Sequence, residues 1–289
     1  MLNLRNLMGF IGSKTPLLLI NLAMVSVFLL MATQARAQGK LFLVDDSEGD
    51  NTLYTVNTNT AALTFVGEGN CDGLALSNDP TNFLLCSNSN QDLFRIATDG
   101  SGLTFVAPIG GDGDRGLAFN TSNGMLYGTD NQVFGAIDTT TGAFTPLASP
   151  PEESEALAAD PNNNLIYALE RDDNGDLMVY DIDSNSWSII GPTAVANGTQ
   201  AGLAFDPITN TIFAADKDGG LYRINPSNGA TIFIGETGID DALGLTFVPR
   251  QVSAIPTLSQ WGMVIFIVLA GLAALYYVRR HPYKQRAGS

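Results

Sequence analysis

A tetrapeptide of the Gly-Leu-Ala-Phe kind returns five times in this chain, beginning at residues 73, 116, 156, 202 and 244. The spacing is 40 to 46 residues, and a period of that length restricts the chain to a repeat architecture. Within each period four short apolar runs alternate with turn chemistry. In the last full period they are "GLAF", "TIFAAD", "GLYRIN" and "TIFIG", separated by turns containing Asp-Pro, Asp-Gly-Gly and Asn-Gly. Asn-Gly and related pairs supply the positive φ that tight hairpins need. No stretch of helical periodicity interrupts residues 38–250. Four antiparallel strands every ~42 residues is the pattern of a β-propeller blade.

The first run of each period suits an innermost strand. In "GLAF" the large Leu203 and Phe205 alternate with the small Gly202 and Ala204. Successive side chains of a strand point to opposite faces, so one face is bulky and the other open to the neighbouring blade. The two ends of the repeat region complete each other. Residues 41–69 supply the last three strands of a blade and lack its first, and "GLTFVP" at 244–249 is that strand. Closure by both ends leaves no open sheet in the ring. The expectation is an all-β, five-bladed β-propeller over residues 38–250. A twisted open array or a sandwich is the alternative.

Charge divides the chain into three. Residues 1–37 and 251–289 contain cations and no acid, whereas residues 38–250 hold all 29 Asp and Glu against seven Lys and Arg, a formal charge of −22. Such a body repels nucleic acid and anionic lipid, which excludes both as partners of the middle region. Residues 1–37 read as a secretory signal: Arg5 and Lys14 precede the apolar run Leu17 to Met31, and Ala35-Arg36-Ala37 gives the small-x-small cleavage pattern at Ala35 and Ala37. An uncleaved anchor is the alternative. Export places Cys71 and Cys86, the only cysteines, in an oxidising compartment. They flank an apparent hairpin, so a structural disulfide is expected, with a buried thiol pair as the other possibility.

The only histidine, His281, lies beyond the repeats, so the body has no imidazole base, no Ser-His-Asp triad and no His-ligated metal. No Gly-rich phosphate loop opens a helix. Carboxylates are the remaining chemistry. The loops between blades read "EGNCDG", "GGDGDRG", "PPEESEA" and "ETGIDDALG". They would gather Asp72, Asp112, Asp114, Glu152, Glu153, Glu155, Asp240 and Asp241 at one mouth of the ring. No cofactor is required by the sequence; Asp112, Asp114, Asp240 and Asp241 are the candidate ligands if Ca²⁺ binds, since it takes oxygen donors. Plain solvation is the alternative reading of these loops. The turns "RDDNGD" and "DKDGG" lack the full calcium-loop spacing and read as hairpins, and the sequons at Asn120 and Asn197 are weak. Strand aromatics such as Phe42, Tyr54, Phe83, Phe94, Tyr127, Tyr167 and Phe213 are expected in the core. Trp187, opening a last strand, is expected to be partly exposed.

The chain closes with "AIPTLSQWGMVIFIVLAGLAALYYVRR", residues 254–280. Residues 261–278 carry no charge and are long enough to cross a bilayer as one helix. Trp261 and Tyr276-Tyr277 suit its interfaces, and Arg279 and Arg280 place the last residues on the cytoplasmic side. The eight residues Ile255 to Gly262, "IPTLSQWG", match the IPTLxxWG signature and resemble the IPTL-CTERM sorting domains of Gram-negative bacteria. The tail is similar to PEP-CTERM tails in having a short motif, a transmembrane helix and an arginine-rich end, in that order. The resemblance covers about residues 254–281. It implies recognition by a membrane-embedded exosortase, with Ile255, Pro256, Thr257, Leu258, Trp261 and Gly262 as recognition residues and Arg279 and Arg280 holding register. It also implies an envelope, surface or extracellular destination and co-occurrence with exopolysaccharide production. Residues 251–289 are thus expected to be a sorting signal. The expected function is a non-enzymatic surface protein that binds or scaffolds a matrix polysaccharide or protein. The rival is a carboxylate-dependent hydrolase, lyase or lactonase at the channel mouth, with or without Ca²⁺.

Overall fold

The computed structural model describes residues 39–45, 52–69, 71–110, 116–171, 175–195, 202–240 and 242–250, together with Ile265, Leu269, Gly271 and Leu272. Residues 1–250 and 251–289 form two separate units.

The first unit is a five-bladed β-propeller of four-stranded antiparallel sheets. Blade I contains β1 (Lys40–Asp45), β2 (Thr52–Val56) and β3 (Leu63–Glu68). Blade II is β4 (Gly73–Ala75), β5 (Phe83–Ser87), β6 (Asp92–Ala97) and β7 (Leu103–Pro108). Blade III is β8 (Gly116–Asn120), β9 (Met125–Asp130), β10 (Val133–Ile137) and β11 (Phe144–Pro146). Blade IV is β12 (Ser154–Asp160), β13 (Leu165–Glu170), β14 (Asp176–Asp181) and β15 (Ser186–Pro192). Blade V is β16 (Gly202–Asp206), β17 (Thr211–Ala215), β18 (Gly220–Ile224) and β19 (Thr231–Glu236). The last strand, β20 (Ala242–Val248), returns to blade I and pairs antiparallel with β1, from Lys40 opposite Val248 to Val44 opposite Gly244. The sheet order β20-β1-β2-β3 is the two-ended closure expected from the sequence.

Five hydrophobic clusters hold the ring, one between each pair of neighbouring blades. Strand alternation makes this possible, because each blade offers an apolar residue to both neighbours. On β1, Leu41 and Leu43 face blade V while Phe42 and Val44 face blade II. Near the axis the blades come too close for two large side chains. A Cβ at Gly202 would lie 2.8 Å from the Cβ of Leu245 on the next blade, closer than carbons pack. Gly244 stands in the same relation to Leu74. Gly202 and Gly244 therefore admit the leucine of the neighbouring blade, and a Cβ at Gly116 would lie 2.7 Å from the Glu155 carbonyl oxygen.

The ends of the inner strands are polar and buried. Asp160 Oδ1 accepts the Asn162 N–H at 2.9 Å, and Asp206 Oδ1 accepts the Ile208 N–H at 2.9 Å. Asn120 Oδ1 accepts from the Ser122 N–H at 2.9 Å. Each side chain closes the turn that follows its own strand, a local bond these residue types favour.

The outer strands carry a feature that alternation alone does not predict. In blades I, II, IV and V the pairing between third and fourth strands slips by one residue. Tyr54 pairs Phe65 and Leu53 pairs Gly67, so Val66 is the extra residue of a β-bulge. The bulge lets Val66 join the cluster between blades I and II, and Val106, Ile190 and Ile234 do the same in their blades. It also bends the outer edge away from strand-to-strand pairing with another chain.

The second unit is described at four positions only, Ile265, Leu269, Gly271 and Leu272, which are helical and exposed. Among the described residues no helix is long and apolar enough to cross a membrane. The expected signal at 1–37, with Ala35 and Ala37, lies outside the described residues, as do Ile255, Pro256, Thr257, Leu258, Trp261, Gly262, Arg279 and Arg280. The expected span at 261–278 falls outside them at all but those four positions.

Candidate functional site

Antiparallel order puts the connections between blades and the turns between second and third strands at one end of the ring. The sequence concentrates carboxylates there, and many of them are used as turn caps. Asp45, Asn88, Asp130, Glu170 and Asp216 occupy equivalent positions, at or just after the end of the second strand of their blades. Asn88 Oδ1 accepts the N–H groups of Asn90 and Asp92 at 3.2 and 3.1 Å. Glu170 Oε2 accepts the Asp176 N–H at 3.1 Å. Asp216, 2% exposed, accepts the Gly220 N–H on Oδ1 at 2.7 Å and the Tyr222 hydroxyl on Oδ2 at 2.8 Å. Burial first, then the Asp216 carboxylate, pushes the Tyr222 phenol well above its ordinary value. The "DKDGG" stretch is thus a hairpin turn closed by its own first aspartate.

The blade connections divide similarly. Glu155 is buried and paired with Arg171, Oε1 to Nη1 at 2.8 Å, and the same Nη1 donates to Asn131 Oδ1 at 2.6 Å. The expectation of Glu155 as one of a ring of open carboxylates is therefore corrected: a salt bridge between the end of β13 and β12 uses it. Glu152 and Asp240 are exposed, and Asp72 and Glu153 are half-buried. Asp112, Asp114 and Asp241 lie outside the described residues. Among the described residues no group of three His, Cys, Asp or Glu is placed to hold a metal.

Cys71 and Cys86 are joined by a disulfide with Cα atoms 5.6 Å apart, fastening the loop that enters blade II to β5. Asn120 is fully buried, so its sequon is inaccessible to a glycan, and Asn197 lies outside the described residues. Phe42, Tyr127, Tyr167 and Phe213 are core residues as expected, whereas Tyr54, Phe83 and Phe94 are half-buried. Trp187 is half-buried and donates from Nε1 to the Ala148 carbonyl at 2.7 Å, between blades IV and III.

Ala75, Ala118, Ala158, Ala204 and Thr246, one residue per blade, line a cavity of about 20 Å³. That holds about one water. Larger recesses lie at the rim, where sequence reading found nothing. One, of about 240 Å³, is lined by residues that include Lys40, Thr55, Thr58 and Thr64 of blade I. The second, of about 260 Å³, includes Phe83, Arg95, Ser101 and Thr104 of blade II. Lys40 and Phe83 occupy equivalent positions on β1 and β5, as do Thr55 and Arg95 on β2 and β6, so the recesses are repeats of one another. Their residues come from separate strands, which hides the site from any linear motif.

No family model matches the chain, and no curated protein does. Among solved structures, a chain from the crystal structure of a nidogen/laminin complex matches with a TM-score of 0.51 at 14% identity. The match covers 72% of this chain and 81% of that one. At that identity the likeness concerns the fold alone.

Proposed function

We propose that this chain is an exported cell-surface protein, a substrate of an exosortase-type sorting system. Its propeller binds or scaffolds an extracellular glycan or protein. The observation that carries the sorting half is "IPTLSQWG", whose Trp261 and Gly262 open a charge-free run of 18 residues, 261–278, that is followed directly by Arg279-Arg280. Pro256 disfavours helix, which keeps the motif extended for recognition before the apolar run begins.

Two structural facts support binding in preference to catalysis. Among the described residues, the cavity between the inner strands measures about 20 Å³, room for about one water and not for a substrate. Asp216, Glu170 and Glu155 are bonded to turns or to Arg171, which ties them to the fold.

The sorting half is tested by replacing Pro256 and Thr257 with alanine and following the chain by cell fractionation. The variant is expected to accumulate in the inner membrane with its tail intact, while the wild type reaches the surface. Equal processing and equal surface display of the two would overturn the reading.

A further inference from the structure

We infer that the rim around blade II is the binding surface of the propeller. Its ligand is a predominantly neutral glycan carrying isolated carboxylates, such as a chain in which uronic acids are separated by neutral sugars. This inference rests on the proposed binding function and names the place and the ligand chemistry.

The register fixes which side chains share a groove. On β1, β2 and β3, Phe42 stands beside Thr55 and Thr55 beside Thr64. Lys40, two residues from Phe42, shares that face. Phe42 packs in the cluster with blade II, so Lys40, Thr55 and Thr64 look toward blade II as well. From the other side, Phe94 belongs to the same cluster and pairs with Phe105 on β7. The recess of blade I thus combines an ammonium and hydroxyls, and Phe105, a phenyl ring 55% exposed, stands on the face of blade II turned toward blade I. On the opposite face of blade II, Phe83, Arg95 and Thr104 line the second recess. The Arg95 guanidinium sits 4.9 Å from the centre of the Phe83 ring. Phe105 and Thr104 are neighbours on β7, so that strand is the ridge between the two grooves.

The charges choose the ligand. Lys40 and Arg95 are both exposed, and among the described residues neither is bonded to a carboxylate, on a body carrying −22. Two such cations in adjacent grooves are complementary to single carboxylates. The surrounding excess of acid rejects a dense polyanion. Hydroxyl-rich walls and exposed aromatic faces suit sugar rings, which present both hydroxyls and apolar C–H faces. Each recess is smaller than the usual drug-sized pocket, so each admits about one ring, and two in succession admit a chain. The equivalent groove between blades V and I is closed to this use. There Arg223 Nη2 is committed to the Thr58 carbonyl and to Asn59 Oδ1.

The test is calorimetric titration of the detergent-solubilised full chain with four probes. These are an octasaccharide alternating N-acetylglucosamine and glucuronate, cello-octaose, polygalacturonate and poly-glutamate. The alternating octasaccharide is expected to bind best. Lys40→Gln and Arg95→Gln should each weaken it about fivefold to tenfold with unchanged melting temperatures, since both side chains are exposed. Phe105→Ala should weaken it about tenfold and lower the melting temperature slightly, because its ring also packs edge-on against Phe94 with centroids 5.7 Å apart. Equal binding of cello-octaose would overturn the carboxylate assignment. Poly-glutamate binding with the same sensitivity to the variants would replace the glycan with an acidic peptide. Saturable glycan binding that all three variants leave intact would overturn the grooves while leaving the proposed function standing. Absence of saturable binding by the wild type to every probe would overturn the glycan inference, and a protein partner captured with unaltered affinity by the triple variant would leave the binding function in place elsewhere.

Discussion

Tyr167 illustrates how a single side chain couples the propeller to solution conditions. Its ring is stacked on Phe205 with centroids 5.8 Å apart, in the cluster between blades IV and V. Burial, and then the charge of Asp160, raises the phenol from 10.0 to about 12. The folded chain therefore holds this proton more tightly than the unfolded chain does. Its contribution is fully present below pH 10 and is lost as pH rises through about 12, because the unfolded state releases the proton first. Tyr127, Tyr180 and Tyr222 are shifted in the same direction, chiefly by burial. Thermal melts between pH 9 and 12 should show a steep loss of stability, and Tyr167→Phe should reduce it by roughly 2 kcal/mol at the alkaline end. An unchanged slope in the variant would refute the assignment. At this scale the sequence was legible where strand runs mark burial. Phe42 and Tyr167 were placed in the core by lying within strand runs, a rule that also took in the half-buried Tyr54, Phe83 and Phe94. It was not legible where a polar group has two equally good uses. Glu155 as an open carboxylate and Glu155 as the partner of Arg171 look identical until its Oε1 is seen 2.8 Å from the guanidinium Nη1.

Among the elements, β11 is the weak member of the outer rim. It has three residues, ends at Pro146 and lacks the bulge found in the other four outer strands. The neighbouring blade compensates. Trp187, on β15, packs its ring 5.0 Å from Phe134 and 5.3 Å from Tyr180, and donates to the Ala148 carbonyl just beyond β11. Trp187→Phe keeps most of the packing and loses the hydrogen bond, so it should cost about 1 kcal/mol. Trp187→Ala should cost about 2 to 3 kcal/mol, below the range for a fully buried aromatic because the ring is only half-buried. Urea denaturation of the two variants distinguishes a bridging tryptophan from a surface one, for which both costs would fall below about 0.5 kcal/mol. The sequence identified Trp187 as unusual without revealing its partner, since Ala148 lies 39 residues away on another blade. The bulges were hidden for a related reason. "LTFVGE" reads as a regular strand, and only the demand of Val66 for the cluster between blades forces the slip.

For the whole molecule, the decisive contact is between β1 and β20, which converts a row of sheets into a ring. The blade count and this closure were legible because both follow from the phase of a repeat: three strands at the start, one at the end. Without β20, blade I loses its innermost strand, and two of the five blade interfaces lose members at once. Ala242, Leu245 and Phe247 belong to the cluster with blade V, and Val248 to the cluster with blade II. Burial of Leu245, Phe247 and Val248 contributes about 1.5 to 3 kcal/mol each before any backbone pairing is counted. That sum approaches the 5 to 15 kcal/mol that stabilises an ordinary domain. A chain ending at Asp240 should therefore fail to melt cooperatively, whereas one ending at Arg250 should melt as a single transition. Adding a synthetic peptide of residues 242–250 to the shorter chain should restore cooperative melting in a saturable way, since the vacant place beside β1 is specified by register from Lys40 to Asp45. Cooperative folding of the chain ending at Asp240 without the peptide would show that the ring is held by its four uninterrupted blades and that the closure is secondary.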